Sequence, residues 1–328
     1  MQMQKYLRVT GIVTAILSVA FFASCKERIM VQIDGSSTVY PITEAVASEF
    51  QQTTNDVHVT VGISGTGGGF KKFCSGKTDI SDASRVIKKD EVEKCKAANI
   101  NFIELPVAYD GLAVLVNPAN DFIDHLTVEE LKHIFQAENP AKTWKEVRED
   151  WPDEAIKVYA PGKDSGTFDY FIEAIIGDGG QVRADALFSE DDNTLVRGIS
   201  GDKHGVGFFG FAYYEENKDS LKLVPIINPR TKQPVQPSID TVKNGTYSPL
   251  SRPLMIYVSE ASAKKDYVKN FVDFYLANAG KLSRQVGYIP LSEEAYTNIK
   301  KHFSDMDTGS VLMELDLMGK PVESLYAD

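Results

Sequence analysis

Hydrophobic positions along this chain alternate between two spacings, which predicts strands and helices in turn. Apolar runs predict strands at 30–33, 57–63, 102–106 and 156–159 and a short strand that closes at Ile80. Apolar residues at helical spacing predict helices at 41–50, 70–73, 91–98, 127–135, 168–176, 265–277 and 293–302. Thr127 is expected to cap the fourth of these helices, with Glu130 three residues on completing a capping box. Such alternation is typical of an α/β protein whose sheet is mostly parallel and covered by helices on both faces.

Two longer apolar stretches, 105–117 and 254–258, predict crossings between two lobes. A chain that leaves one lobe, builds a second and then returns joins them by two strands. We therefore expect a first lobe of residues 25–108 plus 256–328 and a second lobe of residues 109–255. Ligands of open α/β sheets lie beyond the carboxyl ends of the strands, so the cleft between the lobes is the expected binding site.

The first 24 residues predict a secretory signal peptide. Lys5 and Arg8 give a basic start, an apolar run covers residues 11–22, and small residues precede Cys25. The run is too short for a permanent membrane helix. The cysteine after the small residues resembles a lipobox, which predicts lipidation of Cys25 and anchoring of an exported protein that faces the periplasm or the cell exterior. The alternative is an ordinary secreted protein that is cut near Ala23.

The cysteine count fits export. If Cys25 carries lipid, Cys74 and Cys95 remain as a pair in an oxidising compartment, where a disulfide is expected. A bridge over a loop of this size contributes about 3 kcal/mol in the chain-entropy model. The alternative is two buried free thiols.

The net charge of −11 excludes nucleic acid as a partner, because a surface that neutralises phosphates needs an excess of Lys and Arg. Loss of the first 24 residues would remove Lys5 and Arg8 and no acid, which makes the chain still more negative. From this charge alone, association with an anion should speed up, or at least not slow, as salt rises.

Three Ser/Thr/Gly turns, at 34–38, 62–69 and 162–167, each follow a predicted strand and open a predicted helix. The helix N-terminus offers unpaired amides and a partial positive charge, glycine admits an anion close to the backbone, and hydroxyls add neutral donors. One such turn alone is usually only an N-cap. Three from both lobes predict one shared oxyanion site, whose donors are Ser37, Thr38, Ser64, Gly65, Ser165, Gly166 and Thr167.

A fourth stretch, 78–85, adds Asp82, Ser84 and Arg85 to the candidates. Arg85 is expected to offer a fork of donors, and Asp82 to accept a hydrogen bond from a protonated ligand oxygen. Monohydrogen phosphate carries such a proton and sulfate does not, so a buried carboxylate would discriminate between them. The alternative is that Asp82 and Arg85 pair with each other. Lys163 is a candidate cation from the second lobe, with a solvated loop lysine as the alternative.

Motifs for catalysis and for cofactors fail in this sequence. The glycines at 205–210 fit a bare dinucleotide pattern, but no acid follows about twenty residues on. The five histidines include no pair at metal-ligand spacing. We therefore predict no catalytic residue, no metal and no cofactor.

The chain resembles the phosphate-binding proteins of bacterial ABC phosphate importers, in their lipoprotein branch. The resemblance is carried by five segments in the family's order: GSSTVYPIT, SGTGGGFKKF, DISDASR, DGLAVLVN and GKDSGTFDYF. It implies a two-lobed periplasmic-binding-protein fold of type II that closes on inorganic phosphate, acts as a monomer, and serves ABC permease subunits with a cytoplasmic ATPase. Enteric members have Asp in the position of Arg85, and Arg is common in the position of Lys163.

Two other functions stay open at this point. A phosphate-sensing lipoprotein that signals to a kinase needs the same cleft as a transport protein. A phosphatase needs a nucleophile, metal cluster or histidine relay, and the sequence offers none of these.

Overall fold

The structure is a computed structural model that describes residues 29–54, 56–163, 165–177, 179–189, 191–313, 315 and 320–326. The predicted signal peptide and Cys25 therefore lie outside the described residues. Within the described part, no helix is both long enough and apolar enough to cross a membrane.

The first lobe begins with strands and helices that alternate as predicted. These elements are β1 (Ile29–Gly35), α1 (Tyr40–Thr53), β2 (Val57–Ile63), α2 (Gly65–Phe73), β3 (Ile80–Ala83) and α3 (Lys89–Ala97). Strand β1 lies between β2 and β3 and is parallel to both. The three strands therefore present their carboxyl ends on one edge of the sheet, where their loops open helices.

The chain crosses to the second lobe along one long strand, β4 (Phe102–Val116), which is buried along its whole length. The second lobe contains α4 (Val128–Phe135), α5 (Trp144–Val147), β5 (Lys157–Pro161), α6 (Gly166–Phe171) with a π turn at Ile172–Ile176, β6 (Leu187–Ser189), α7 (Asp192–Gly201), β7 (Gly205–Gly210), α8 (Phe211–Asn217), β8 (Lys222–Leu223), β9 (Ile226–Ile227), β10 (Pro234–Val235) and α9 (Ile239–Lys243). Strand β5 is parallel to β6 and β7. Thr127 caps α4 and forms the predicted capping box with Glu130.

The chain returns along β11 (Ser251–Ser259) and ends in the first lobe. The remaining elements are α10 (Glu260–Ala263), α11 (Asp266–Gln285), β12 (Ile289–Pro290), α12 (Glu293–Ser304) and a 3-10 turn at Val322–Tyr326. The sheet order β2-β1-β3-β11-β4-β7-β5-β6 runs through both lobes, with β8 and β12 also paired to β4. Strands β4 and β11 are antiparallel to each other and form the two predicted crossings, and the strands within each lobe are mostly parallel. The register between β4 and β11 shifts at Leu254/Met255.

The helix that follows β2 begins earlier than the sequence predicted. The prediction placed the start of this helix at Phe70, after the glycine-rich turn. In the structure the glycine run itself is helical from Gly65. A Cβ on Gly69 would lie 2.6 Å from the Cα of Gly35, so the close packing of α2 on β1 requires glycine there. This packing brings the first two Ser/Thr/Gly turns side by side.

The disulfide between Cys74 and Cys95 is confirmed. It links the end of α2 to α3, and both cysteines are buried. The bridge therefore fixes α2, which carries the second turn, to the body of the first lobe.

Candidate functional site

The first turn, Ser36–Thr38, lies at the carboxyl end of β1 and leads into α1. The Ser36 amide donates to the Asp82 carbonyl at 3.0 Å, and the Thr38 amide donates to the Ser36 hydroxyl at 3.2 Å. No side chain caps α1. The Tyr40 amide donates to the Ser36 carbonyl at 3.0 Å, Pro41 has no amide hydrogen, and the Ile42 amide donates to the Val39 carbonyl at 3.0 Å. The first turn therefore meets the positive end of the helix dipole and not a row of free amides.

The second turn is held by Asp34, the last side chain of β1 before the first turn. The hydroxyl of Ser64 and the ammonium of Lys72 both donate to this carboxylate, the latter at 2.5 Å. Gly65 has a φ of +72°, and a Cβ there would meet nothing within 4 Å. Its backbone is thus open to a ligand, in a conformation that other residues rarely adopt.

The loop after β3 completes this wall. The Ser84 amide donates to the Thr66 hydroxyl at 3.2 Å, and the two hydroxyls lie 3.1 Å apart. The guanidinium of Arg85 forms a bidentate pair with Glu91 at 2.9 and 2.8 Å, and its side chain keeps 24% exposure. The fork predicted for a ligand is thus occupied by Glu91.

The opposite wall comes from α6 and the π turn after it. The hydroxyl of Ser37 donates to the Asp169 carboxylate at 2.9 Å, and the hydroxyl of Thr38 donates to the Gly166 carbonyl at 3.3 Å. A Cβ on Gly166 would lie 2.7 Å from the Cα of Thr38. The two lobes are therefore in direct contact at the first and third turns.

Between these walls lies a cavity of about 370 Å³. It is lined by Ser36, Ser37, Thr38, Gly65, Thr66, Gly67, Ser84, Arg85, Lys88, Asp169, Tyr170, Ile172, Glu173, Gly179 and Arg252. Three of these side chains are cationic and two are acidic, and most of the others offer hydroxyls or backbone amides. Hydroxyls, amides and a local excess of positive charge suit a small oxyanion.

Arg252 is the most buried cation in the cavity wall, with 9% of its side chain exposed. Its three guanidinium nitrogens donate to Asp110 at 3.3 Å, Glu173 at 3.3 Å and Thr38 at 2.7 Å. The guanidinium lies 3.4 Å from the centre of the Tyr170 ring. Burial raises the pKa of Asp110, and Arg252 beside it partly offsets this. Arg252 thus contacts both lobes from the crossing strand β11.

The structure brings some of the predicted residues together at the cavity. Ser37, Thr38, Gly65, Ser84 and Arg85 line it. Ser64 is turned towards Asp34 instead, and Ser165 caps α6 by accepting from the Thr167 amide at 3.2 Å. Gly166 contacts Thr38 at the edge of the cavity. Lys163 is exposed and lies 5.7 Å from the centre of the Phe188 ring, away from the lining.

Asp82 is not in the lining of the cavity. Side chains alternate along β3: the Ser81 hydroxyl faces Gly69 of α2, so Asp82 points to the opposite face of the sheet, near Thr43 and Tyr275. The carboxyl is fully buried, and burial raises its pKa to about 8. The alternative, a pairing of Asp82 with Arg85, is wrong, because Arg85 pairs with Glu91. This geometry gives no support to Asp82 as an acceptor for a ligand proton.

Sequence reasoning missed Asp169, Glu173 and Arg252. Asp169 and Glu173 are four residues apart just after the third turn, which places both on one helix face next to that turn. That spacing was a usable signal. No such signal pointed to Arg252, because it lies in a crossing strand that is far along the chain from every Ser/Thr/Gly turn.

Comparison with known proteins places the chain in a family. Residues 23–279 match the model of a PBP superfamily domain. Protein SphX of Synechococcus elongatus is 53% identical over 301 residues, 91% of this chain and 88% of that protein. The phosphate-binding protein PstS of Staphylococcus saprophyticus is 40% identical over 83% of this chain and 84% of its own length.

The crystal structure of a possible phosphate binding protein from Planctomyces limnophilus is similar to the structure of this chain. The two chains are 42% identical with a TM-score of 0.82, over 85% of this chain and 98% of that one. The chain therefore belongs to the PBP superfamily and, within it, to the family of SphX and the phosphate-binding protein PstS.

Proposed function

We propose that this protein captures inorganic phosphate in the cavity between its lobes and delivers it to the permease of an ABC importer. The observation that carries the proposal is the convergence of Arg252, the first turn and the amides of Gly65–Gly67 on one cavity. Membership of the PstS and SphX family supports the identity of the ligand. We propose a binding role and assign no catalytic one.

Phosphate would be held mainly by hydrogen-bond donors of the cavity wall. Backbone amides at the N-terminus of α2 and the hydroxyl of Ser84 line the cavity, and the hydroxyls of Ser37 and Thr38 would turn from Asp169 and Gly166 to the anion. Arg252 supplies the strongest donor, because its charged fork matches two oxygens of a tetrahedral anion. Ser64 would then shape the second turn, and Ser165, Gly166 and Thr167 the third.

Acceptors in the wall would distinguish phosphate from sulfate. Asp169 and Glu173 both line the cavity, and either carboxylate can accept a hydrogen bond from a P–OH group. Sulfate lacks that proton at neutral pH and would meet these carboxylates as an unpaired like charge. Asp169 is the better placed of the two, because it already faces the first turn through Ser37.

Asp169→Asn is expected to lower discrimination between phosphate and sulfate about tenfold, since one charge-assisted hydrogen bond is worth about 1.5–3 kcal/mol. Affinities for both anions, measured by calorimetry in the variant and the parent, give the ratio. Asp150→Asn, the same change on an exposed loop, serves as the control. If the ratio of phosphate to sulfate affinity is unchanged in Asp169→Asn and lowered in Glu173→Gln, Glu173 is the acceptor. No change in either would refute selection by these acids.

We further propose that the lobes close about β4 and β11, with the lobes divided at 108/109 and 255/256. The register shift at Leu254/Met255, opposite Pro106 and Ala108, supports these positions, because an irregular ladder bends more readily than a regular one. The close contact between Gly166 and Thr38 would form on closure and help to present one surface to the permease.

We place the protein outside the cytoplasm, anchored through lipid on Cys25 and acting as a monomer. Support comes from the pattern of residues 1–25 and from the Cys74–Cys95 disulfide, which is typical of oxidising compartments. Mass spectrometry of the protein expressed in bacteria would detect the lipid as a mass increase on the peptide that begins at Cys25.

Isothermal titration of the purified chain with phosphate tests the function. We expect one site per chain and no comparable heat with sulfate. Absence of phosphate binding, or equal affinity for both anions, would refute the proposal.

A further inference from the structure

A second cavity of about 350 Å³ lies directly beside the first. The two share three lining residues, Ser84, Arg85 and Arg252, which form a common wall. The rest of the second cavity is formed by Val86, β4, α9, β11 with the loop that precedes it, the β9–β10 hairpin and the segment that leads into the 3-10 turn near the end of the chain. An anion that passed the two arginines would therefore move from one cavity into the other.

The lining of this second cavity is strongly basic. It contains five cationic side chains, Arg85, Arg230, Lys243, Arg252 and Lys320, and no acidic residue is among its described lining. Arg230 and Lys320 are exposed, so positive charge extends to the mouth. The first cavity differs, since Asp169 and Glu173 lie in its wall. Glu91 pairs with Arg85, and Asp110 and Glu173 pair with Arg252, from outside this lining, whose own charged groups are all cationic on a chain of net charge −11.

We propose that the second cavity is an access vestibule, in which inorganic phosphate is held weakly before it passes Arg85 and Arg252 into the first cavity. This inference rests on the proposed function. The vestibule attracts the anion that the net charge of the chain repels. Because the attraction is local and electrostatic, the association rate falls as salt rises, which is opposite to the expectation from net charge alone.

Stopped-flow measurement of phosphate association, followed by intrinsic fluorescence, tests the vestibule. Salt is raised from about 20 mM to about 500 mM, a range that shortens the screening length severalfold. The association rate of the parent is expected to fall. In the double variant Arg230→Gln/Lys243→Gln it is about three- to tenfold lower at low salt, equal to the parent at high salt, and accompanied by an unchanged dissociation rate.

The matched control is Lys145→Gln/Lys157→Gln, which removes the same charge from exposed positions outside both cavities. An equal loss of rate in this control, or a parent rate that rises with salt, would overturn the vestibule. If the double variant does not fold, Lys320→Gln at the exposed mouth replaces it, and a rate equal to the parent at low salt overturns the proposal. Absence of phosphate binding in the parent at equilibrium would instead refute the proposed function.

Discussion

Arg252→Lys is expected to weaken phosphate binding about 100-fold and to leave the fold intact. Lysine keeps the positive charge beside the buried carboxylate of Asp110, so no buried acid is left without a cation. Lysine cannot reach Thr38, Glu173 and a bound anion together. Its donors are all on one ammonium nitrogen, whereas those of arginine are spread over a planar guanidinium. Loss of one or two hydrogen bonds to a charged group accounts for about 2–4 kcal/mol.

Calorimetric titration of the Arg252→Lys variant and the parent gives the ratio of dissociation constants. Arg197→Lys on α7 is the control, because that arginine is 70% exposed and lies outside both cavities. Equal melting temperatures of parent and variant would show that the fold is retained. An affinity within about threefold of the parent would contradict a direct contact between Arg252 and phosphate.

Asp82→Asn is expected to change the pH dependence of stability far more than replacement of an exposed carboxylate. Burial, with a smaller contribution from Asp34, raises the pKa of Asp82 from 3.8 to about 8, and the nearby Thr43 hydroxyl offsets only part of this. Between those two pH values the unfolded chain has released the proton and the folded protein keeps it. The parent therefore loses about 1.4 kcal/mol of stability per pH unit across this window, on the order of 5 kcal/mol in all.

The stabilising contribution of the neutral carboxyl is complete below pH 3.8 and is lost as the pH rises through about 8. Asparagine carries no titrating proton, so the free energy of unfolding of the variant, relative to the parent, should rise steadily between these values and then level off. Urea unfolding at a series of pH values measures this difference. Asp153→Asn, at an exposed position, controls for loss of one carboxylate. A constant difference between Asp82→Asn and the parent would show that Asp82 is ionised in the folded protein.

The elements and the three turns could be predicted because each depends on local chemistry. The capping box of Thr127 and Glu130, and the glycine-rich turns that follow apolar strands, depend on neighbouring residues and not on distant parts of the chain. The direction of Asp82 could not be predicted, since all four residues of β3 are buried. A strand that is buried on both faces carries no alternation of polar and apolar residues to show which side chain faces a ligand.

Arg252 could not be found in the sequence because its role depends on distant pairing. Its contacts with Asp110 and Thr38 span 142 and 214 residues along the chain. Only the antiparallel register of β4 and β11, which places Arg252 opposite Asp110, brings these groups together. The vestibule could not be predicted from the sequence for a related reason. Net charge describes the whole surface, whereas five cations from separate elements determine the potential in one cavity.

A crystal structure of the chain grown with inorganic phosphate would show where the anion binds. We predict tetrahedral density in the first cavity, within hydrogen-bonding distance of the Arg252 guanidinium, the Thr38 hydroxyl and the amides of Gly65–Gly67, with Asp169 facing one oxygen. Phosphate bound elsewhere, or a first cavity that holds only water at saturating phosphate, would refute binding of phosphate between the lobes.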